Sequence, residues 1–170
     1  MSDRAHGETA LVQFSERLTN SAAFGVLYRE GMDLVEETAA YLDGDGRSEA
    51  KALERSVSLT YATESMRLTT RLMQLASWLL LHRAVKEGEM TLTQANREKT
   101  KVKLTAADPG AEEMIEKLPQ QLQDLITRSM NLQTRVRRLD SSIHTPAAER
   151  APIGNPLVPQ LNRLKAAFEQ

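Results

Sequence analysis

The stretch ESMRLTTRLMQLASWLLLHRAVKEGEM, residues 64–90, has no proline and a single glycine, Gly88. At the helical period it sets Ala62, Met66, Thr69, Met73, Ala76 and Leu80 on one face and Tyr61, Leu68, Leu72, Leu75 and Leu79 on the adjoining one. In the last turns Trp78, Leu81 and Val85 close the remaining side, so this half of the helix is apolar nearly all round. A helix of that kind has neighbours on every side. The longest uncharged run, Leu72 to His82, lies between Arg71 and Arg83. That is short of the roughly 20 apolar residues of a membrane span, so the expected cover is protein.

Two further stripes flank this helix. Phe24, Leu27, Tyr28, Gly31, Leu34, Val35, Thr38, Tyr41 and Leu42 follow a 3-4-3 spacing. Asn20 or Ser21 can cap that helix, and Asp43-Gly44-Asp45-Gly46 can end it. Met114, Ile115, Leu118, Leu122, Leu125, Ile126, Ser129, Leu132, Val136 and Leu139 form the third. Pro119 either kinks it or marks where its main helix starts. The expected fold is all-α: a three-helix bundle, with helices near 21–43, 50–88 and 118–140, a long central helix and a disordered C-terminal tail. Between the second and third helices, Thr91 is a candidate cap for a short helix.

The expected organisation is a flexible N-terminal segment over 1–20, a helical bundle over 21–140 and a tail over 141–170. Pro146, Pro152, Pro156 and Pro159 stand among small polar residues, with too few large apolar groups to offset ordering entropy. Leu157, Leu161, Leu164 and Phe168 then make one short amphipathic stripe, and Leu161, Leu164 and Phe168 are the candidate docking residues of the tail.

Composition sets the class. The chain of 170 residues is 41% hydrophobic and 26% charged, ordinary for one soluble domain, and its 4% aromatics come without alternating strand patterns. It has no cysteine, which removes disulfides, thiolate zinc sites and cysteine nucleophiles. The opening MSDRAHGETA has no apolar signal region, so a cytoplasmic location is expected. The net charge of −1 is unevenly spread: residues 1–47 hold nine acids and four bases, residues 64–104 four acids and eight bases.

No catalytic set emerges, and neither enzyme activity nor a cofactor or metal is expected. His6, His82 and His144 are too scattered for a ligand set, and the Glu-x-x-His pairs of a di-iron bundle are missing. Asp43-Gly44-Asp45-Gly46 opens like a calcium loop, but Arg47 and Ser48 occupy the fifth and glycine places, so a flexible connector is the expectation. Glu30, Asp33, Glu36 and Glu37 read as a solvated face. The basic run Arg97 to Lys103, with Arg128, Arg135, Arg137 and Arg138, supports a second reading as a DNA-binding regulator. No tight-turned helix pair or recognition helix accompanies it, so nucleic acid is not the expected partner. Trp78, Leu81 and Val85 admit two readings: an association surface for a partner or a homodimer, or a core patch covered by Met90, Leu92, Val102 and Leu104.

SAAFGVLYREGMDLVEETAAYLDGDGR, residues 21–47, and SMRLTTRLMQLASWLLLHRAVKEGEM, residues 65–90, closely resemble the regulator of CtrA degradation (RcdA) family of alphaproteobacteria. The likeness extends more loosely to about Asp140. It implies a non-enzymatic adaptor in regulated proteolysis, a three-helix bundle able to form a homodimer and associated with the cell pole. In that family the adaptor connects the ClpXP protease, primed by the response regulator CpdR, to cargo such as the cell-cycle regulator CtrA, with PopA as a further adaptor. The resemblance brings no catalytic residues.

Overall fold

The structure, a computed structural model, describes residues 22–99 and 112–144. Among these residues there are six helices and no strand: α1 (Ala22–Asp43), α2 (Asp45–Ala52), α3 (Arg55–Lys86), α4 (Leu92–Lys99), α5 (Glu112–Ile115) and α6 (Gln120–His144). The three long ones, α1, α3 and α6, form the expected bundle. Residues 1–20 and the tail docking residues Leu161, Leu164 and Phe168 lie outside the described residues, as do Val102 and Leu104.

The direction of each helix follows from its contacts. The Arg83 guanidinium donates to the Tyr28 hydroxyl at 2.7 Å, and Gly31 sits against Leu79, so α1 and α3 are antiparallel. Arg71 reaches Ser129 and Trp78 reaches Asp140, so α3 and α6 run the same way. Parallel neighbours cannot be joined by a tight turn, and α4 and α5 both lie in the long connection between α3 and α6. α3 packs against both other long helices as well as α4 and α5.

Local chemistry accounts for the ends. Gly88 has φ +75°. Its N–H bonds Val85 O at 3.1 Å while that of Glu89 bonds Ala84 O at 2.9 Å. This paired closure of the last carbonyls needs the left-handed region that glycine adopts freely. Thr91 and Gln94 form a reciprocal capping box at the start of α4: Thr91 Oγ1 accepts from Gln94 N at 3.2 Å, and Gln94 Oε1 accepts from Thr91 N at 2.9 Å. Pro119 precedes the first residue of α6 rather than kinking it, and α6 continues past residue 140 to His144.

Two expectations are corrected. The Asp43–Gly46 stretch is a tight corner rather than a flexible connector, because α2 begins one residue after α1 ends. Gly44 N bonds Ala40 O at 3.0 Å, and the Tyr41 hydroxyl donates to Glu49 Oε2 at 2.6 Å, fastening α2 onto α1. The expected 50–88 helix is also interrupted. Leu53 is extended, ending α2, and α3 starts at Arg55. Leu53 and Ala50 pack on the core, so the break folds α2 against the bundle.

At Gly31 an added Cβ would collide with the Leu79 side chain, so glycine here sets how closely α1 approaches α3. The core runs from Phe24, Leu27 and Leu34 through Leu68, Leu75 and Leu79 to Leu122, Leu132 and Val136. A polar layer crosses it. Arg71 is buried and donates to Ser129 Oγ at 2.8 Å, and burial lowers its pKa, opposed by the nearby Glu64 carboxylate.

Candidate partner-binding face

Trp78 is an interior residue, only 1% exposed. Its ring stacks on His82 at 3.9 Å between centroids and meets Phe24 at 6.3 Å. The indole N–H donates to Asp140 Oδ1 at 2.8 Å, and the other carboxylate oxygen of Asp140 pairs with Lys99 Nζ at 2.6 Å. Asp140 thereby joins α3, α4 and α6. The reading of Trp78 as part of an association surface is corrected: the connection folds back on it, with Leu92 packed on the core and Ala95 fully buried. Leu81, Val85 and Met90 are half-buried at that end of the bundle.

The exposed apolar surface lies on another side of the same helix. Leu59, Met66, Met73 and Leu80 are 71%, 72%, 65% and 51% exposed and recur every seven residues along α3. A heptad step returns nearly to the same azimuth, so the four form one line. Ala62, Thr69 and Ala76 stand three residues after the first three and keep the adjacent row small. A line of large side chains beside a row of small ones lets a second helix approach closely. Of the two apolar faces visible in the sequence, the bundle covers Tyr61, Leu68, Leu72, Leu75 and Leu79 and leaves the other to solvent.

Beside this line α1 and α3 enclose an open groove of about 490 Å³, lined by Val35, Thr38, Ala39, Leu42, Thr69, Leu72, Met73, Ala76 and Leu80, with Asp43 and Ser77 at its edge. Thr38 is buried, and its hydroxyl has no hydrogen-bond partner among the described residues. An orphan hydroxyl costs about 1–3 kcal/mol.

Part of the charge noted in the sequence is paired. Arg128 pairs with Glu37 and Arg135 with Glu30, each at 2.7 Å, along the antiparallel α1–α6 seam. With Lys99 held by Asp140, three cations of the basic groups are engaged by carboxylates, while Arg137 and Arg138 stay exposed. Among the described residues no group of three or more His, Cys, Asp or Glu is placed to hold a metal ion, and no helix is long and apolar enough to cross a membrane.

Comparison with known proteins places the fold. The family described as "Protein of unknown function (DUF1465)" matches residues 15–168. The crystal structure of RcdA from Caulobacter crescentus CB15 is 49% identical in sequence, with a TM-score of 0.62, over 75% of this chain and 96% of that one. The chain belongs to the RcdA family. No curated protein matches the sequence. The RcdA likeness carried by residues 21–47 and 65–90 therefore extends to the fold, and those two stretches supply α1, the following corner and most of α3, the elements that border the groove.

Proposed function

We propose that this chain is a non-enzymatic adaptor in regulated proteolysis, tethering cargo proteins to the CpdR-primed ClpXP protease, with cell-cycle regulators such as CtrA as the cargo class and PopA as a further partner. Support comes from family membership and from one structural observation: the uncovered heptad line Leu59, Met66, Met73 and Leu80, which serves no purpose inside the bundle. Fully burying a side chain of this size is favourable by about 1.5–3 kcal/mol. Four partly exposed ones amount to on the order of 5 kcal/mol in gross, before the cost of association. That gain is at the low end of the cost of association, about 4–15 kcal/mol, so this line alone gives at most a weak, exchangeable contact and works together with the other contacts of the assembly. The same line is the proposed seam of a homodimer, two copies of α3 meeting across their small-residue rows.

Leu81 and Val85 are kept as a second contact at the end of α3, and Leu161, Leu164 and Phe168 as a docking element of the tail. A cytoplasmic location, concentrated at the cell pole, accompanies this role. Tethering raises the effective concentration of what is held and needs only modest affinity at each contact.

Degradation of candidate cargo by CpdR-primed ClpXP, with and without this protein, tests the reading. Accelerated degradation is expected, weakened by Leu81→Asp and by removal of residues 145–170. Equal rates with and without the protein for every cargo contradict it. The alternative, a DNA-binding regulator using Arg97 to Lys103, predicts duplex affinity that falls steeply with salt.

A further inference from the structure

The α1–α3 groove has an occupant of matching chemistry within the chain itself. We propose that residues 157–168, LVPQLNRLKAAF, dock in cis into this groove as a short amphipathic helix, so that the free chain shields part of its own partner-binding face. The proposal names the target of the tail docking element and rests on that assignment.

Length agrees first. The groove wall from Thr69 to Leu80 spans about 16 Å and the anchors Leu161 to Phe168 about 10 Å at helical rise, so the segment fits lengthwise. Leu161, Leu164 and Phe168 recur at i, i+3 and i+7, the spacing with which a helix lays its apolar face into a groove. Pro159 suits the first turn of such a helix, where its missing N–H costs nothing.

Charge selects this segment. On the α1 side Asp43 lines the groove, and Glu36, seven residues earlier on the same helix, is also exposed, whereas the α3 side offers Thr69, Met73 and Ser77. Arg47 lies 3.6 Å from Asp43, but both are largely in solvent, where such a pair holds little. The tail brings Arg163 and Lys165 beside its apolar anchors, against the single acid Glu169 after Phe168.

Reach decides between the two ends of the chain. Because α6 runs parallel to α3 and Asp140 lies level with Trp78, His144 ends near the Leu80 end of the groove. Twelve residues, 145–156, separate it from Leu157 and span up to about 40 Å. A route around one helix of about 10–12 Å diameter is well inside that. A second short apolar stripe, Leu11, Phe14 and Leu18 near the start of the sequence, is tied to Ala22, about 20 Å along α1 from Val35 at the near end of the groove. Leu18 is four residues from Ala22 and spans at most about 14 Å. That stripe carries Glu16 beside Arg17 and so brings no net positive charge to the groove.

The test is amide hydrogen exchange, resolved by residue, on the full chain and on Met73→Glu and Leu164→Asp variants over a concentration series. In the wild type, residues 160–168 are expected to exchange about tenfold more slowly than in either variant, at every concentration, with bundle amides unchanged in Leu164→Asp. Equal exchange of 160–168 in wild type and Leu164→Asp overturns the proposal. Protection that vanishes on dilution overturns docking in cis and assigns the groove to a second copy. Should 160–168 become protected only after cargo or CpdR-primed ClpXP is added, the cis site falls and the docking element stands; unprotected in both settings, the two fall together.

Discussion

Trp78 and Met73 lie five residues apart on α3, both large and apolar, and the bundle buries the first while leaving the second mostly in water. The inner side is packed by the other helices and fixed by directional bonds, Trp78 to Asp140 and Arg71 to Ser129. On the outer side Leu59, Met66, Met73 and Leu80 have no such partners and stand in a straight line. The difference separates two uses of apolar surface. Buried residues of α3 also recur every seven residues, as Tyr61, Leu68, Leu75 and His82 do, because the helices packed on them share that period. The outer line repeats at the same interval with no helix among the described residues covering it.

The sharpest way to break this contrast is to truncate each side in turn. Trp78→Ala should cost about 3–5 kcal/mol, since it opens a cavity and removes the donor to Asp140. Met73→Ala should stay within about 0.5 kcal/mol. Urea unfolding of the two variants measures both; similar losses would erase the distinction between the faces. Next in size is Asp140→Ala, expected at about 1–3 kcal/mol because the buried indole N–H loses its acceptor. Lys99→Met, which removes only a partly exposed pair, should cost less than about 1 kcal/mol. If the two substitutions cost the same, Asp140 acts through its charge and not through Trp78.

A pH series sharpens the account at the α1–α2 corner. Burial, then the bond to Glu49, raises the Tyr41 pKa. Burial raises that of Tyr61 as well, opposed by its bonds with Tyr41 and Ser65. Both phenols hold their protons more tightly folded than unfolded, where they titrate near pH 10. Their contribution is therefore fully present below pH ~10 and is lost as pH rises above it. Stability should be level from about pH 7 to 9 and decline above 10, with a shallower decline in Tyr41→Phe. An equal slope in that variant would place the alkaline loss elsewhere. The smallest effect is expected from Glu37→Gln on the exposed α1–α6 pair, about 0.5 kcal/mol or less by thermal unfolding and weaker still in high salt.

Much of this was legible in the sequence. Three apolar stripes of common period specified three long helices, and Thr91 with Gln94 and Gly88 specified two of the ends. The outer face was not, for a definite reason. Periodicity shows that both the Met66–Met73–Leu80 row and the Leu68–Leu72–Leu75–Leu79 row are apolar, but which is covered depends on where α1 and α6 lie around α3. The small residues Ala62, Thr69 and Ala76 interleaved with Met66, Met73 and Leu80 were the available signal, since the buried Tyr61, Leu68 and Leu75 recur at the same seven-residue interval. Trp78 was misleading because a large aromatic marks an interface as readily as a core, and only the return of α4 settles it. The buried Arg71 and His82 were equally hidden, since their burial depends on Ser129 and on the Trp78 ring and carbonyl.

The most direct test of the outer face as the partner surface is the rate of cargo degradation by CpdR-primed ClpXP in the presence of a Met66→Asp, Met73→Asp double variant. Both positions are more than half exposed, so the variant should keep the wild-type melting temperature. The account predicts delivery slower by about tenfold or more, the effect of losing roughly 1.4 kcal/mol of contact. Delivery at the wild-type rate by the folded variant would contradict it.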